Sequence, residues 1–209
     1  MQYIDLYRKK PTQARSEWTI EVIFEAAAQI LQKQGMDGFN TNAIAKSAGV
    51  SIGTLYQYFP NKQAILIAIA KRELNNVTQV IIDNISAKPP TDDTESARAI
   101  VQALLKAFGG RQRMRKVLIE ALIANGLFDE LTNPIEKIVQ TILSKQSQLP
   151  NDVSEAPTPA PISLYVMTRA IIGTIRAAVM EQSVYLNTEC FENELVGLIL
   201  YFRHSNHHV

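Results

Sequence analysis

The amino-acid sequence predicts an all-α protein in which a small N-terminal head precedes a larger helical body. Apolar residues recur at intervals of three and four along nearly the whole chain, and the alternation typical of β-strands persists nowhere. Clusters of Gly, Pro and Asn interrupt this pattern and separate the predicted helices. At 209 residues the chain is long enough for one sizeable core or two modest ones.

The charge distribution and the single cysteine exclude several classes of protein. With 21 Lys and Arg against 20 Asp and Glu, the net charge of +1 excludes a polycation. Residues 1–75 nevertheless hold nine basic and six acidic side chains, so the head suits local contact with phosphates. Cys190 excludes an intrachain disulfide and is expected to be partly buried. Because no signal peptide or apolar run of membrane-spanning length is evident, we expect a soluble cytoplasmic protein without a membrane partner.

The first elements are an arm and an amphipathic helix. Residues 1–16 are polar and basic, which predicts a flexible arm, and contact of this arm with DNA stays open. Residues 18–34 then predict a helix that Gly35 ends. Its apolar stripe consists of Ile20, Ile23, Phe24, Ala27, Ile30 and Leu31.

Residues 41–62 predict two short helices joined by a tight turn. Thr41 is the expected N-cap of the first helix, and Gly49 ends that helix because glycine enters the left-handed conformation without steric cost. Ser51 is expected to cap the second helix, which ends before Pro60. Two helices joined by a short turn containing Gly form a helix-turn-helix, whose second helix enters the major groove of DNA.

The outward side chains of the second helix suit DNA. Leu55 and Phe59 are one turn apart and face inward, which leaves Tyr56, Gln57 and Tyr58 to point elsewhere. Hydroxyls contact phosphates, and glutamine can pair with adenine edges. On this pattern alone, a surface helical hairpin with incidental tyrosines explains the segment equally well.

This segment resembles the DNA-binding signature of the tetracycline-repressor (TetR) family of bacterial regulators. The resemblance runs from about residue 20 to about residue 66 and leaves out the remaining two thirds of the chain. The matching residues are Gly35, Ile44-Ala45, Ala48-Gly49-Val50-Ser51, Gly53-Thr54-Leu55-Tyr56, Tyr58-Phe59 and Asn61-Lys62. Two positions depart from the family pattern, because Gln63 replaces a frequent acidic residue and Ile52 replaces a polar or basic one.

The resemblance implies roles for individual residues. It implies that Thr41 and Lys62 bind phosphates and that Asn42 lies where some family members reach a base. The recognition-helix positions are Ser51, Ile52, Gly53, Thr54, Tyr56, Gln57 and Tyr58. Among all these residues, Asn42, Ile52 and Gln57 are expected to set sequence preference.

The body continues with four predicted helices. They cover residues 64–85, 97–108 and 111–125, with a fourth that runs to about residue 146. Gly126 and Asn133-Pro134 are expected to punctuate this fourth helix. The first is long enough to be a rigid connecting helix between head and body. Proline-containing loops are expected around residues 88–94 and 148–161. The basic cluster Arg111, Arg113, Arg115 and Lys116 is interpreted as a solvated turn, in preference to a second DNA site.

The last two predicted helices, residues 163–185 and 191–202, favour a homodimer. They are apolar around more than one face, which requires more partners than one small domain supplies. Helix-turn-helix proteins usually read half-sites about 34–36 Å apart as symmetric dimers. In the TetR family these helices build a four-helix bundle between subunits, so the resemblance implies the same role here. The predicted interface residues are Ala170, Gly173, Thr174, Ala177, Leu195, Leu198, Ile199 and Phe202.

The middle helices are expected to surround an effector site. The predicted lining consists of Phe108, Met114, Leu118, Leu122, Phe128, Ile138, Tyr165 and Met167, although plain core explains each of them. Arg169 and Arg176 need partners such as Glu120, Glu181 or an acid of a second subunit, because an unpaired buried charge is costly. A salt bridge at the subunit interface is favoured for them. The alternative is that Arg169 binds the anionic group of an amphipathic effector.

Nothing in the sequence favours an enzyme, a cofactor or a metal site. His204, His207 and His208 lie in the last six residues, where a fixed catalytic geometry is not expected. The chain has no glycine loop for phosphates, no spaced Cys/His set and no nucleophile with an evident base.

These observations predict a homodimeric, all-α transcriptional regulator that acts as a repressor. Residues 17–63 form its helix-turn-helix head, and residues 64–205 form the effector-binding and dimerisation body, with dimer helices at 163–205. It is expected to bind palindromic operator DNA in the major groove and to leave it when an apolar or amphipathic small molecule binds. Two alternatives stay open. One is a ligand-independent DNA-binding dimer whose body only dimerises or recruits a partner, and the other is an enzyme with an appended helix-turn-helix.

Overall fold

A computed structural model describes residue 6 and residues 14–86, 93–146 and 160–204 of the chain. Within these ranges the regular secondary structure is entirely α-helical, which confirms the predicted fold class. The helices are α1 (Ala14–Gln34), α2 (Thr41–Ala48), α3 (Ile52–Tyr58), α4 (Lys62–Ser86), α5 (Asp93–Gly109), α6 (Gln112–Ala124), α7 (Phe128–Gln146), α8 (Pro161–Glu181) and α9 (Glu189–His204). Most of the predicted basic arm, the predicted proline loops and the last two histidines lie outside the described residues.

The observed helix boundaries differ from the predicted ones mainly at the N-terminal ends. α1 begins at Ala14 and α5 at Asp93, each four residues earlier than expected from the apolar pattern. Their first turns are polar, so apolar periodicity cannot reveal them. Pro134, expected to interrupt the helical pattern, lies inside α7.

The described chain divides into two compact units. The N-terminal unit comprises Met1–Glu73 and Arg111–Phe128, and the second comprises Leu74–Gly110 and Asp129–Val209. In the N-terminal unit α1 packs against α2 and α6, and α2 packs against α3. Its largest fully buried side chains include Ile23, Leu31, Phe39, Ile44, Leu55, Phe59 and Met114. The predicted division into a DNA-binding head at residues 17–63 and an effector-binding body at residues 64–205 stays a prediction.

In the second unit α5, α8 and α9 pack against one another. Polar contacts join α5 to the first turn of α9, since the Arg98 guanidinium donates to Glu192 Oε1 at 2.8 Å and to Asn193 Oδ1 at 2.9 Å. Gln102 donates to the same Glu192 oxygen at 3.0 Å. Cys190, expected to be partly buried, is exposed on α9.

The apolar character of α8 differs from the sequence expectation. By length and composition alone this helix could cross a membrane, so an apolar run of that length does exist in the chain. Half of this apolar stretch is buried inside the protein, and the core helix of a soluble protein can have the same length and hydropathy. One such helix is therefore weak evidence for a membrane segment.

Candidate nucleic-acid interface

The N-cap of α2 is Asn40, which corrects the prediction that Thr41 caps this helix. Asn40 has extended backbone dihedral angles, and its side-chain oxygen accepts a hydrogen bond from the Ala43 amide at 2.9 Å. Thr41 is instead the first helical residue, and its hydroxyl oxygen lies 3.2 Å from that of Tyr56. Asn and Thr are both favourable caps, so the sequence alone could not choose between these neighbours. Thr41 thus links the start of α2 to α3.

The turn between α2 and α3 has the predicted geometry. Gly49 adopts φ +68°, the left-handed conformation that favours glycine. The Val50 amide donates to the Ala45 carbonyl at 3.0 Å. Ser51 caps α3, because its hydroxyl accepts a hydrogen bond from the Thr54 amide at 3.0 Å. The expected capping roles of Gly49 and Ser51 are therefore confirmed.

Two buried side chains fix the orientation of α3. Leu55 and Phe59 are both fully buried, as predicted. The Phe59 ring packs on Phe24 of α1 with 5.6 Å between centroids, and the guanidinium of Arg72 in α4 lies 5.3 Å from the Phe24 ring centroid. Asn61 accepts a hydrogen bond from the Ala64 amide and thereby starts α4. These contacts hold one face of α3 inward and leave the opposite face exposed.

The outward face of α3 carries the residues predicted to contact DNA. Ile52 and Tyr56 are each 39% exposed, although side chains of this kind are usually buried in a core. The exposed members of the predicted set are Asn42, Ser51, Ile52, Gly53, Tyr56, Gln57 and Lys62, and the half-buried members are Thr41, Thr54 and Tyr58. The structure brings these residues together on α2, α3 and the start of α4. Their individual contacts with DNA stay predictions.

The basic cluster at the start of α6 is exposed at Arg111 and Arg113, as a solvated segment would be, but it is helical from Gln112 and its arginines contact other helices. Arg111 donates to both carboxylate oxygens of Glu25 in α1, at 2.6 and 3.1 Å. Arg113 donates to the carbonyl of Lys33 at 3.0 Å, near the C-terminal end of α1. The partners lie 86 and 80 residues away in the chain, so local sequence patterns could not reveal them.

Two further contacts complete this attachment of α6. The Met114 amide donates to the Gln32 side-chain oxygen at 3.2 Å, which supplies an acceptor near the start of α6. The Arg115 guanidinium lies 3.6 Å from the Glu73 carboxylate of α4. Residues at the start of α6 therefore attach this helix to α1 and α4 within the N-terminal unit.

The Arg111–Glu25 pair predicts a specific acid sensitivity. The hydrogen bond from Arg111 lowers the pKa of the Glu25 carboxyl below its ordinary value. A lowered folded-state pKa contributes stability above the unfolded-state pKa, and this stability is lost as the pH falls through the folded-state pKa. Glu25→Gln should therefore destabilise the N-terminal unit at neutral pH by less than about 1 kcal/mol, because the pair is exposed. It should also flatten the decline in stability on acidification.

Urea unfolding between pH 3 and pH 7, followed by fluorescence of the single tryptophan Trp18 on α1, measures this effect. Glu17→Gln on the same helix is the matched control, since Glu17 is exposed and forms no ion pair within the described residues. Equal acid dependence in the two variants would contradict the role of the pair.

The predicted effector-site residues fall into both units. Met114, Leu118, Leu122 and Phe128 belong to the N-terminal unit, whereas Phe108, Ile138, Tyr165, Met167 and Arg169 belong to the second. Phe128 and Tyr165 are 55% and 52% exposed, and the other apolar members are buried. Burial alone also fits plain core, so an effector-binding role for these residues stays a prediction.

The contacts of Arg169 and Arg176 within the described part of the single chain do not include Glu120 or Glu181, and a salt bridge to an acid of a second subunit stays a prediction. The Arg169 guanidinium carbon lies 3.7 Å from the centroid of the Tyr165 ring, a cation–π contact within α8. Arg176 donates to the carbonyl of Leu131 in α7 at 3.1 Å. Within the described residues neither arginine forms an ion pair with Glu120 or Glu181.

The predicted dimer residues differ in exposure. Gly173, Thr174 and Ala177 are exposed, and Ala170, Leu198 and Phe202 are half-buried. Leu195 and Ile199 are each only 3% exposed in the single chain, so they have almost no surface left for a partner. An apolar stripe in the sequence does not reveal whether its own chain or another covers it.

Gly197 is an exposed residue of α9 that the sequence analysis missed. A Cβ added at Gly173 or at Gly197 would meet no atom within 4 Å, so neither glycine is required by the packing of the single chain. Glycine inside a helix costs about 0.5–1 kcal/mol relative to alanine. Gly173 of α8 and Gly197 and Tyr201 of α9 are thus each exposed in the single chain, and we call these exposed positions of the two helices the open face.

Comparison with known proteins agrees with this geometry. The family model described as bacterial regulatory proteins, tetR family, matches residues 23–69, which include all of α2 and α3. The fatty acid metabolism regulator protein of Bacillus subtilis (strain 168) is 35% identical over 66 residues, which are 32% of this chain and 34% of that protein. Nucleoid occlusion factor SlmA of Glaesserella parasuis serovar 5 is 30% identical over 99 residues, 47% of this chain and 46% of that protein. The matches thus span half or less of these curated relatives.

Solved structures share the fold over a larger part of the chain. A Mesorhizobium loti structure described as a TetR-family transcriptional regulator superimposes with a TM-score of 0.73 at 16% identity, covering 91% of this chain and 97% of the other. FadR from Bacillus subtilis, solved in complex with stearoyl-CoA, gives a TM-score of 0.58 at 20% identity and covers 88% of this chain and 99% of FadR. Residues 23–69 therefore carry the helix-turn-helix of the tetR family of bacterial regulatory proteins, and the chain shares the fold of these solved structures.

Proposed function

We propose that this protein is a homodimeric transcriptional repressor that binds operator DNA through α3 and is released by a small amphipathic effector. The observation that carries this proposal is the exposed face of α3, which buried Leu55 and Phe59 hold outward. The exposed parts of the Ile52 and Tyr56 side chains contribute nothing to the stability of the single chain. The composition of α3 instead fits the major groove.

The DNA contact that we propose for each residue follows from the chemistry of its side chain. Gln57 reads an adenine edge and Ile52 packs on a thymine methyl group, while Asn42 reaches a further base. Lys62 neutralises a backbone phosphate. The hydroxyls of Thr41 and Tyr56, 3.2 Å apart, are close enough to bind one phosphate together.

Two heads are needed to read a palindromic site, so the proposal includes a homodimer through α8 and α9. The open face with Gly173 and Gly197 supports this arrangement. Since glycine has no Cβ atom, a helix can approach the backbone of another helix closely at these positions. The exposed small residues Thr174 and Ala177 extend the same stripe of α8.

The proposed effector acts by a population shift. The effector binds more tightly to a dimer conformation in which the spacing of the two heads does not fit adjacent major grooves. The affinity of the dimer for the operator then falls by the ratio of the effector affinities of the two conformations. α4 is a continuous helix that contains Lys62 at its start and residues of the second unit after Glu73, so it can transmit this preference. The relatives named for fatty acid metabolism and solved with stearoyl-CoA support a long-chain acyl compound as effector.

The DNA-binding proposal predicts that Tyr56→Ala and Lys62→Ala each weaken operator binding while leaving dimerisation intact. Each substitution acts twice in a dimer, and a lost contact costs on the order of 1 kcal/mol per head, so affinity should fall at least about tenfold. Lys62→Ala should also reduce the salt dependence of binding by about two units of slope per dimer.

Fluorescence anisotropy with an operator selected from a random-sequence library measures both quantities. Lys106→Ala removes an equal charge from an exposed position of α5 and should leave binding unchanged. If both head variants bound the operator like the unsubstituted protein, α3 would not be the reading helix. Release of the operator by palmitoyl-coenzyme A tests the effector part separately.

A further inference from the structure

Arg113 of α6 contacts α1 in a different way from its neighbour Arg111. Arg111 pairs with the carboxylate of Glu25, whereas the Arg113 guanidinium donates to the backbone carbonyl of Lys33 at 3.0 Å. The last carbonyls of a helix have no partner within that helix, and a cation beside them is favourable because of the helix dipole. Arg113 therefore caps the C-terminal end of α1 from another helix.

The residue after α1 leaves space for this cap. Gly35 has φ +67°, and a Cβ atom added there would lie 2.8 Å from Arg113 Nη2 and 3.1 Å from Arg113 Nε. The first of these distances is shorter than real Cβ contacts, so the guanidinium occupies the space that a side chain at position 35 would need. The hydrogen bond and this close approach together hold the start of the α1–α2 turn against α6.

The α1–α2 turn is joined to the first turn of α2 by one side chain. The side-chain nitrogen of Asn40 donates to the Gly38 carbonyl at 3.3 Å, and its side-chain oxygen accepts from the Ala43 amide at 2.9 Å. The first turn of α2 contains Thr41 and Asn42, two of the proposed DNA contacts. The position of the α1–α2 turn therefore sets the position of these two residues.

We propose that Arg113 is a positioning residue for DNA binding, because it holds the α1–α2 turn in the arrangement that presents Thr41 and Asn42 to the operator. This role rests on the proposed function and adds a determinant of operator affinity outside residues 23–69, the part of the chain that matches the family model. Arg113 acts through the backbone of α1 and makes no DNA contact of its own.

The operator affinity of the full-length Arg113→Gln protein tests this role. The affinity should fall between about threefold and thirtyfold, because the cap acts once in each head of the dimer. This loss should shrink to about twofold or less when Thr41 and Asn42 are both replaced by alanine, and it should persist in a Gln57→Ala background. Arg113→Lys should restore part of the affinity, since an ammonium group can still donate to the Lys33 carbonyl.

Two further measurements separate positioning from direct contact and from general stability. The slope of log affinity against log salt concentration should be unchanged in Arg113→Gln, since a positioning residue neutralises no phosphate. In the protein without DNA, hydrogen exchange of the Ala43 amide should be about twofold to fivefold faster, while the Ala27 amide in the middle of α1 is unaffected. Arg111→Gln removes an equal charge from the same end of α6 and should leave operator affinity and Ala43 exchange unchanged.

Four results would overturn the positioning role. They are an unchanged operator affinity in Arg113→Gln, unchanged exchange of the Ala43 amide, a salt slope reduced by about two units per dimer, and an equal loss of affinity in every background. The third would make Arg113 a phosphate ligand, and the fourth, with a lower unfolding midpoint, would give it a structural role only. If the unsubstituted protein binds no selected operator, the proposed function itself fails, and the exchange result alone decides whether Arg113 orders the start of α2.

Discussion

Gly173→Leu is expected to dissociate the dimer and, with it, to abolish tight operator binding. The single chain has room for a side chain at this exposed position, and leucine is a better helix former than glycine, so the subunit should fold at least as well. A bulky side chain on a closely packed helix interface costs about 1–3 kcal/mol, and the symmetry of the dimer doubles this cost. The dimer dissociation constant should therefore rise by a factor of about 30 or more.

Sedimentation equilibrium measures dimerisation, and anisotropy with the selected operator measures binding. Asn75→Leu adds the same side chain to an exposed position of α4 and should leave both unchanged. Gly197→Leu on α9 should behave like Gly173→Leu, because it also adds bulk to the open face. A dimer as tight as the original in both glycine variants would place the interface elsewhere.

Phe59→Ala is expected to remove DNA binding through loss of the N-terminal unit's stability. Phe59 is fully buried and packs on Phe24, and truncation of a buried phenylalanine costs about 3–5 kcal/mol. Domains are stable by only about 5–15 kcal/mol, so this cost is a large share of the total. The dimer helices belong to the second unit, so dimerisation should persist.

Unfolding followed by Trp18 fluorescence reports on the N-terminal unit, and sedimentation reports on the dimer. Phe59→Leu keeps most of the buried volume and should restore much of the stability and operator affinity. An alanine variant with unchanged operator affinity would show that α3 does not need its buried anchor.

The parts of the fold that depend on neighbouring residues could be predicted from the sequence. Gly49 and Ser51 act on amides and carbonyls within five residues, so their roles follow from local stereochemistry. The prediction that Thr41 is the N-cap of α2 was wrong, because two residues that are both favourable N-caps, Asn40 and Thr41, are neighbours in the sequence. Tertiary contacts decide which of the two caps the helix. Here the Tyr56 hydroxyl provides one such contact for Thr41.

The parts that depend on distant residues could not be predicted. The ion pair of Arg111 with α1 could not be predicted from the sequence, because its partner Glu25 lies 86 positions earlier. Leu195 and Ile199 have the periodicity of a buried face, but periodicity does not identify the helix that covers them. The open space around Gly197 also emerges only when the surrounding helices are in place.

The attachment of α6 to α1 has a consequence for swapping DNA specificity between regulators. The chain leaves the N-terminal unit after Glu73 and returns to it at Arg111, so this unit is discontinuous in sequence. A chimaera that transplants only the first 73 residues would separate Glu25 and the Lys33 carbonyl from their arginine partners. A transferable DNA-reading cassette must therefore include residues 111–128, which lie outside the family signature.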